Sequence, residues 1–230
     1  MQKNQRKQSI RNWAPVLVCL AVFGLWTWLV CRVDVQAIGP EGSSVGFAAL
    51  NGAFHRLTGV HMQLYILTDW LGLVPVAFCL GFGVLGLAQW IGRKQLLRVD
   101  RDLLALGGFY LLVMAAYLLF EQVVINHRPV LIEGRLEVSY PSSTTLLSLC
   151  VLPTAAMQLR RRIRRPLLRG WVVAALWGFT GFMVVGRLLS GVHWLTDILG
   201  GILLSTALVH AYTAAFQSIS RIPSFRSKCR

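Results

Sequence analysis

The sequence predicts an all-α fold, an integral membrane bundle of six helices that carries its functional residues at the extracytoplasmic helix ends. Two observations lead to this prediction. Apolar residues make up 55% of the 230 residues, and they are gathered in runs of roughly 20 residues, the length of a helix that crosses a bilayer. The runs lack the period-two alternation of barrel strands, so helices are the expected spans.

Six segments are long and apolar enough to be membrane spans. In chain order they are residues 13–31, 63–90, 103–120, 142–159, 171–186 and 194–216. No internal repeat divides them. One membrane domain is therefore predicted for residues 1–230, with tails at residues 1–12 and 217–230. A cleavable signal peptide ending near Ala37 is the alternative interpretation of the first span.

The 23 lysines and arginines predict the orientation of the bundle. Eighteen of them fall in the two tails and in the connections between spans two and three and spans four and five, against five in the other loops. Positive charge beside a span is retained in the cytoplasm. The chain is therefore predicted to lie in the cell membrane with both termini cytoplasmic and with Arg187 to His193 outside.

The same basic loops explain the net charge of +14. In a soluble protein such a charge indicates nucleic acid, but short basic loops such as residues 160–165 are typical of cytoplasmic anchors near anionic headgroups. No nucleic-acid partner is predicted. The five cysteines show no paired metal-ligand spacing, so neither a zinc site nor a disulfide framework is expected.

The third outer loop places an arginine, a histidine and an aspartate at the edge of an apolar segment. Ionisable groups at this position are costly unless they are paired or functional. If a helix begins near Val192, His193 and Asp197 share one face, and the carboxylate can accept the imidazole N–H. The other ring nitrogen of His193 is then free for chemistry.

The second outer loop supplies groups that bind anions. Arg128 lies in this loop, and Ser142 and Ser143 open the next span. A helix start presents unpaired backbone N–H groups and the positive end of its dipole, which suits a phosphate. Arg128 and Arg187 lie on the same predicted face, and a guanidinium binds phosphate oxygens in pairs. We therefore expect a phosphate site beside His193.

These residues resemble the signature of the type 2 phosphatidic acid phosphatase family, which is related to the vanadium haloperoxidases. The signature reads K-x6-R-P, then P-S-G-H, then S-R-x5-H-x3-D. The third motif matches at Arg187, His193 and Asp197, with Gly186 in place of the serine. The resemblance covers roughly residues 60–216.

The first two motifs match in part. Arg128-Pro129 matches the first, but Glu121 occupies the lysine position. Pro141-Ser142 matches the second, while Ser143 replaces the glycine and Thr144 replaces the histidine. Motif order, spacing and the outward-facing loops all agree with the family.

The resemblance implies a membrane lipid phosphatase that needs no metal and no cofactor. His193 is then the nucleophile that takes the phosphoryl group, and Asp197 orients it. Arg128, Arg187 and the backbone amides of Ser142 and Ser143 bind the phosphate. The implied partners are a lipid phosphate or diphosphate substrate and the membrane lipids; no oligomeric state is predicted.

The two departures bear on the substrate. The family's second-motif histidine protonates the leaving group, which Thr144 cannot do. An alkoxide needs that proton, whereas a departing phosphate, with a second pKa near ~6, needs little help. A polyprenyl diphosphate such as undecaprenyl diphosphate is therefore the favoured substrate. Alternatively, Glu121 is itself the proton donor, which would restore monophosphate chemistry.

Two other functions stay open at this stage. A catalytically weak or inactive relative would keep the arginines and bind or move phospholipids. A phosphotransferase would pass the phosphoryl group from the same histidine to another lipid or sugar. His127 is expected to face water beside Arg128 rather than to replace the missing histidine, and Asp69 is a candidate partner for an arginine of the site.

Overall fold

The computed structural model describes the backbone of residues 2–220 and the side chains of residues 11–218 other than residue 97. Within that range the chain is helical, without strands. The helices are α1 (Gln2–Val30), α2 (Ala48–Thr58), α3 (Met62–Leu71), α4 (Leu73–Arg93), α5 (Arg101–Gln122), α6 (Ser143–Arg162), α7 (Pro166–Leu189) and α8 (Leu195–Ser220). The predicted tail cations at Arg221, Arg226, Lys228 and Arg230, the side chains of Lys3, Arg6 and Lys7, and Cys229 lie outside the described residues.

Five stretches of helix in the described residues are long and apolar enough to cross a membrane. They are Arg11–Val30, Met62–Arg93, Arg101–Gln122, Pro166–Leu189 and Leu195–Ser218. The protein is thus a multi-pass membrane protein, and each of these stretches corresponds to a predicted span.

The remaining predicted span, residues 142–159, corresponds to α6. This helix is 20 residues long but contains hydroxyl side chains and three terminal arginines, so it does not reach the hydropathy of the others. It packs against α4, α5, α7 and α8, and 11 of its residues are buried. A helix shielded by protein needs little apolar surface of its own, which is why a count of six apolar spans is not met.

The second predicted span is helical in two parts. α3 ends at Leu71 and α4 begins at Leu73. Pro75, in the first turn of α4, has no N–H to donate to the carbonyl of Leu71 four residues earlier, and such a gap interrupts a helix. The break lets α3 pack against α7 while α4 packs against α5 and α6.

The connection between α1 and α3 contains a helix, α2, that was not predicted. Its Asn51 is fully buried and joins this connection to the start of α8. The Nδ2 atom donates to Gly46 O at 2.8 Å and to Thr196 Oγ1 at 2.9 Å, and Oδ1 accepts from Thr196 N at 3.2 Å. The connection therefore holds the first turn of α8 in place.

Close helix contacts bring the start of α6 next to the first turns of α8. A Cβ atom added at Gly200 would lie 2.6 Å from the ring of Tyr140, and one at Gly201 would lie 3.1 Å from Thr145 Cγ2. Glycine at these positions allows the two elements to touch. As a result, Ser142 N donates to Asp197 O at 3.1 Å.

Candidate active site

His193 lies between two arginines at one end of the bundle. Arg128 NH1 is 3.3 Å and Arg187 NH2 is 3.2 Å from His193 Nε2. Arginine has only donors, so Nε2 must be the acceptor and the ring proton must lie on Nδ1. All three side chains are buried, and Arg187 is only 1% exposed. The predicted histidine and both predicted arginines therefore converge on one nitrogen.

Asp197 lies behind the imidazole, on its Nδ1 side. Asp197 Oδ2 is 3.8 Å from His193 Nδ1, which is longer than a direct hydrogen bond. The backbone of Ser139 also borders the ring and interacts with it. The protonated Nδ1 thus faces the carboxylate, while the unprotonated Nε2 faces the arginines.

The Asp197 carboxylate is itself held by the start of α8. Oδ2 accepts from Trp194 N at 2.9 Å and Oδ1 accepts from Asn126 Nδ2 at 3.0 Å. Trp194 is the residue before the first residue of α8, and Asp197 is the third residue of the helix. A carboxylate that reaches back to this backbone N–H is one half of a capping box. The position of Asp197 is therefore set by the local geometry of the helix start.

A hairpin in the connection between α5 and α6 presents Arg128. Arg128 N donates to Glu137 O at 2.9 Å, and Ser139 N donates to Asn126 O at 2.9 Å. The turn at its tip contains Glu133 and Gly134, both with positive φ, as two-residue hairpin turns require. Arg128 Nε also lies 2.9 Å from Glu137 Oε2, so the hairpin supplies both the guanidinium and a counterion.

Arg187 projects from the last turn of α7 and contacts α3. Its NH1 lies 3.5 Å from Asp69 Oδ1, so the predicted candidate partner is in place. The ring of Tyr65 lies 5.0 Å from Arg187 Cζ and 5.8 Å from Arg128 Cζ. Both distances suit cation–π contact. One tyrosine therefore supports the two guanidiniums that meet at His193.

A cavity of about 530 Å³, here called the site cavity, opens next to His193. Arg128 and Ser143 of the predicted phosphate site line it, and so does Glu121. The full lining is Tyr65, Asp69, Tyr117, Phe120, Glu121, Arg128, Glu137, Val138, Ser139, Tyr140, Pro141, Ser143, Leu146 and His193. Polar and aromatic groups thus surround a space large enough for a phosphorylated headgroup.

Five predicted site residues do not line the cavity. Arg187 and Asp197 contact or face His193 instead, and the other three are Ser142, Thr144 and His127. The Ser142 amide, predicted to bind phosphate, already donates to Asp197 O, and the Ser142 side chain is fully buried. The amide is occupied because α8 packs onto the start of α6, and a role of Ser142 in phosphate binding stays a prediction. Thr144 Cγ2 lies near Gly72 at the α3–α4 break. His127 is half-buried outside the cavity lining, and its carbonyl accepts from Trp194 Nε1 at 2.7 Å.

Burial lowers the pKa of His193 well below its ordinary value of 6.5, and the positive charges of Arg128 and Arg187 lower it further. The imidazole is therefore neutral at neutral pH, with a free lone pair on Nε2. A neutral nitrogen next to two guanidiniums can attack an electrophile whose oxygens those guanidiniums bind. A phosphate group has this chemistry.

Asn126, Glu137 and Tyr65 belong to the site but were not predicted. Asn126 stands two positions before Arg128 in the sequence, and an amide side chain this close to a predicted functional arginine is a signal that could have found it. Glu137 lies further along the same loop. Tyr65 lies on another helix and carries no local signal. Among the described residues, no group of three histidines, cysteines or acidic residues is placed to hold a metal.

Comparison with known proteins identifies the family of this site. The family model described as PAP2 superfamily matches residues 103–221, which include both arginines, the histidine and the aspartate. The chain belongs to the PAP2 superfamily. A search of curated proteins finds no match.

A solved structure of this superfamily has a similar fold. It is the crystal structure of the first transmembrane PAP2 type phosphatidylglycerolphosphate phosphatase from Bacillus subtilis. The match has a TM-score of 0.51 and 21% sequence identity, and it covers 91% of this chain and 99% of that one. The likeness therefore extends to α1–α4, beyond the segment matched by the family model.

Proposed function

We propose that this PAP2 protein is a membrane lipid phosphatase in which His193 takes the phosphoryl group of the substrate. The observation that carries the proposal is the pair of guanidiniums, Arg128 and Arg187, within 3.3 Å of His193 Nε2. In this proposal they leave the nitrogen for the phosphate oxygens when substrate binds. Charge-assisted bonds from two arginines stabilise the charge of a transferring phosphoryl group.

The reaction proceeds in two steps. Nε2 of the neutral His193 attacks phosphorus, and the bond to the leaving oxygen breaks, which gives a phosphohistidine. Water then attacks the same phosphorus, and inorganic phosphate leaves His193. Asp197 stabilises the positive charge that develops on the imidazole, because it faces Nδ1. Splitting the transfer in this way replaces one difficult step with two easier ones.

The proposed substrate preference is a polyprenyl diphosphate, for which undecaprenyl diphosphate is the model. The support is Thr144, which has no acidic proton and is packed near Gly72 away from the site cavity. A diphosphate releases a phosphate, which leaves without protonation at neutral pH. This substrate is therefore the one that the arginines and His193 can process without a further group.

The proposed orientation places the site on the extracytoplasmic face, with both termini in the cytoplasm. The support is the charge of the loops at the opposite end of the bundle. Residues 93–101 and 160–169 contain ten lysines and arginines, and such charge stays cytoplasmic. A cysteine introduced at exposed Arg135 should react with a membrane-impermeant maleimide in intact cells if this orientation is correct.

Phosphate release by the purified protein in detergent tests the function. Long-chain polyprenyl diphosphate and a lipid monophosphate are compared, with His193→Ala as the inactive variant. We expect release from the diphosphate that depends on His193, and a transient label on His193 from substrate labelled at the terminal phosphate. Release at the level of His193→Ala for every lipid would refute the proposal.

Two alternatives are separated by further measurements. An inactive relative that binds or moves phospholipids would retain lipid binding in the absence of release, and Thr144→His would then restore turnover. A phosphotransferase would accumulate a phosphorylated lipid or sugar instead of free phosphate when an acceptor is added. We expect no gain from Thr144→His, since the side chain at 144 lies outside the cavity lining. We also expect free phosphate as the product.

A further inference from the structure

Hydrolysis of a lipid monophosphate would require a proton donor that the proposed mechanism does not contain. When His193 Nε2 attacks an alkyl phosphate, the bond from phosphorus to the alkyl oxygen breaks and the oxygen leaves as an alkoxide. A positioned acid that protonates this oxygen contributes about 10²–10⁴-fold in rate. The donor must border the site cavity, so the candidates are its acidic and hydroxyl side chains.

Two of the three cavity carboxylates are committed to arginines. Glu137 Oε2 lies 2.9 Å from Arg128 Nε, and Asp69 Oδ1 lies 3.5 Å from Arg187 NH1. Protonating either carboxylate would break the ion pair that positions its arginine. Neither Glu137 nor Asp69 is therefore suited to carry the proton.

The hydroxyl groups of the cavity are poor donors as well. Tyrosine and serine are much weaker acids than a carboxylic acid at neutral pH. The Tyr140 hydroxyl is already 2.7 Å from Thr27 Oγ1. Tyr65 lies against both guanidiniums, and its ring makes cation–π contacts with them. These tyrosines are better explained as supports of the cavity wall.

Glu121 differs from the other two carboxylates. It lies in the last turn of α5, lines the site cavity, and makes no ion pair with an arginine among the described residues. Its contact is with Tyr117, one turn earlier on the same face of α5, whose hydroxyl hydrogen-bonds to it. Both residues line the site cavity, so the carboxyl group of Glu121 borders the space in which a substrate would bind.

We propose, on the basis of the proposed function, that Glu121 is the proton donor that extends this enzyme to lipid monophosphates. Of the carboxyl groups that line the cavity, Glu121 is the one without an arginine partner among the described residues, so its proton transfer leaves both ion pairs of the site intact. Glu121 gives its proton to the leaving alkoxide, and the lipid departs as the neutral alcohol. The carboxylate then takes a proton from the water that attacks the phosphohistidine, which restores both residues.

This proposal predicts that Glu121 matters only for leaving groups that need a proton. Three substrates test it on the purified protein: an alkyl lipid phosphate, an aryl phosphate and a polyprenyl diphosphate. Glu121→Gln should lower kcat for the alkyl phosphate by about 10²–10⁴-fold. It should change kcat for the aryl phosphate and the diphosphate by less than about threefold, because their leaving groups are stable anions.

A matched variant and a pH profile complete the experiment. Glu133→Gln removes an exposed carboxylate of the outer hairpin that does not line the cavity, so it should leave all three rates unchanged. With the alkyl phosphate, the pH profile of kcat should differ between the wild type and Glu121→Gln, whereas the two profiles should coincide with the diphosphate. Glu121→Asp should restore part of the rate for the alkyl phosphate alone.

The outcomes separate the two proposals. Equal loss of all three activities in Glu121→Gln, or no loss in any, would overturn the role of Glu121 while leaving His193 as the nucleophile. Alkyl phosphate hydrolysis that persists in His193→Ala would instead overturn the proposed function. Loss confined to the alkyl phosphate supports Glu121 as the acid.

Discussion

Asn126 Nδ2 donates a 3.0 Å hydrogen bond to Asp197 Oδ1, across 71 positions of the sequence. Asn126 is 1% exposed and Asp197 is fully buried, so water cannot replace this bond. The hairpin that presents Arg128 is thereby tied to the helix start that presents Asp197. The two halves of the proposed site share one buried polar contact.

Asn126→Ala should lower both stability and turnover. Leaving a buried charged acceptor without its donor costs about 1–3 kcal/mol, and a tenfold loss of kcat corresponds to about 1.4 kcal/mol in the barrier. We expect a fall of roughly tenfold or more, measured with the polyprenyl diphosphate. Asn51→Ala is the control, since Asn51 bonds to Thr196 and not to Asp197. If both variants lose stability and turnover alike, Asn126 acts on the fold alone.

Arg187→Lys should weaken the site although it keeps the charge. Lysine presents one ammonium on a flexible stem, whereas Arg187 reaches His193 and Asp69 through two nitrogens. Losing one charge-assisted bond costs about 1.5–3 kcal/mol. We expect kcat/KM to fall by about 10–100-fold in steady-state assays. Arg135→Lys, at an exposed position of the same face, should be silent; a silent Arg187→Lys would contradict the role of the guanidinium.

The pH dependence of kcat/KM should reflect the lowered pKa of His193. Since burial and the two arginines hold this pKa well below 6.5, the free enzyme keeps a neutral nucleophile as the pH falls through 6.5. The acid limb of the profile should therefore lie below that pH. Arg128→Gln removes one repelling charge, so its acid limb should move up toward 6.5. A wild-type limb already at 6.5, or no shift in the variant, would contradict this account.

The same pKa difference has a stability consequence. The unfolded chain binds the proton near pH 6.5, before the folded chain does. Stability contributed by neutral His193 is thus complete above pH 6.5 and declines as the pH falls below it. In detergent, the melting temperature of the wild type should fall more steeply between pH 6.5 and pH 5 than that of His193→Gln, because glutamine does not titrate.

Gly191→Ala should disrupt the loop that carries His193. Gly191 has φ +71°, and a Cβ there would lie 2.0 Å from Gly59 O. Gly134 in the outer hairpin has φ +74° but nothing within 4 Å. Gly134→Ala therefore carries only the backbone strain of about 1–2 kcal/mol, and Gly191→Ala adds a clash with a neighbouring backbone. Melting temperature and kcat are measured for both variants, and a larger loss in Gly191→Ala than in Gly134→Ala is the effect of the clash. Equal losses would show that the neighbouring backbone moves to relieve the clash.

The features that the sequence predicted are those with local signals. Hydropathy is a property of a continuous segment, so five spans were found close to their observed positions. The spacing of Arg187, His193 and Asp197 follows from one loop and one helix turn. Arg128 was predicted to lie on the same face of the membrane as Arg187. Each of these inferences needs only a short stretch of chain.

The features that were missed depend on contacts between distant segments. The Ser142 amide is taken by Asp197 O because two glycines let α8 approach α6. The Tyr65 ring reaches the guanidiniums only because the α3–α4 break places α3 against α7. α6 lacks a strong apolar signal because protein, not lipid, surrounds it. None of these facts is encoded within a single window of sequence.

The capping role of Asp197 limits how the H-x3-D motif can vary. The carboxylate reaches back to the Trp194 backbone because it is the third residue of α8, and His193 stands one residue before that cap. Inserting or deleting one residue between His193 and Asp197 would turn the carboxylate by about 100° around the helix and remove both the cap and the facing imidazole. The three-residue gap between His193 and Asp197 is therefore fixed by helix geometry. A substitution at Asp197 affects folding and chemistry together. Only variants that retain α8 can isolate the catalytic contribution of Asp197.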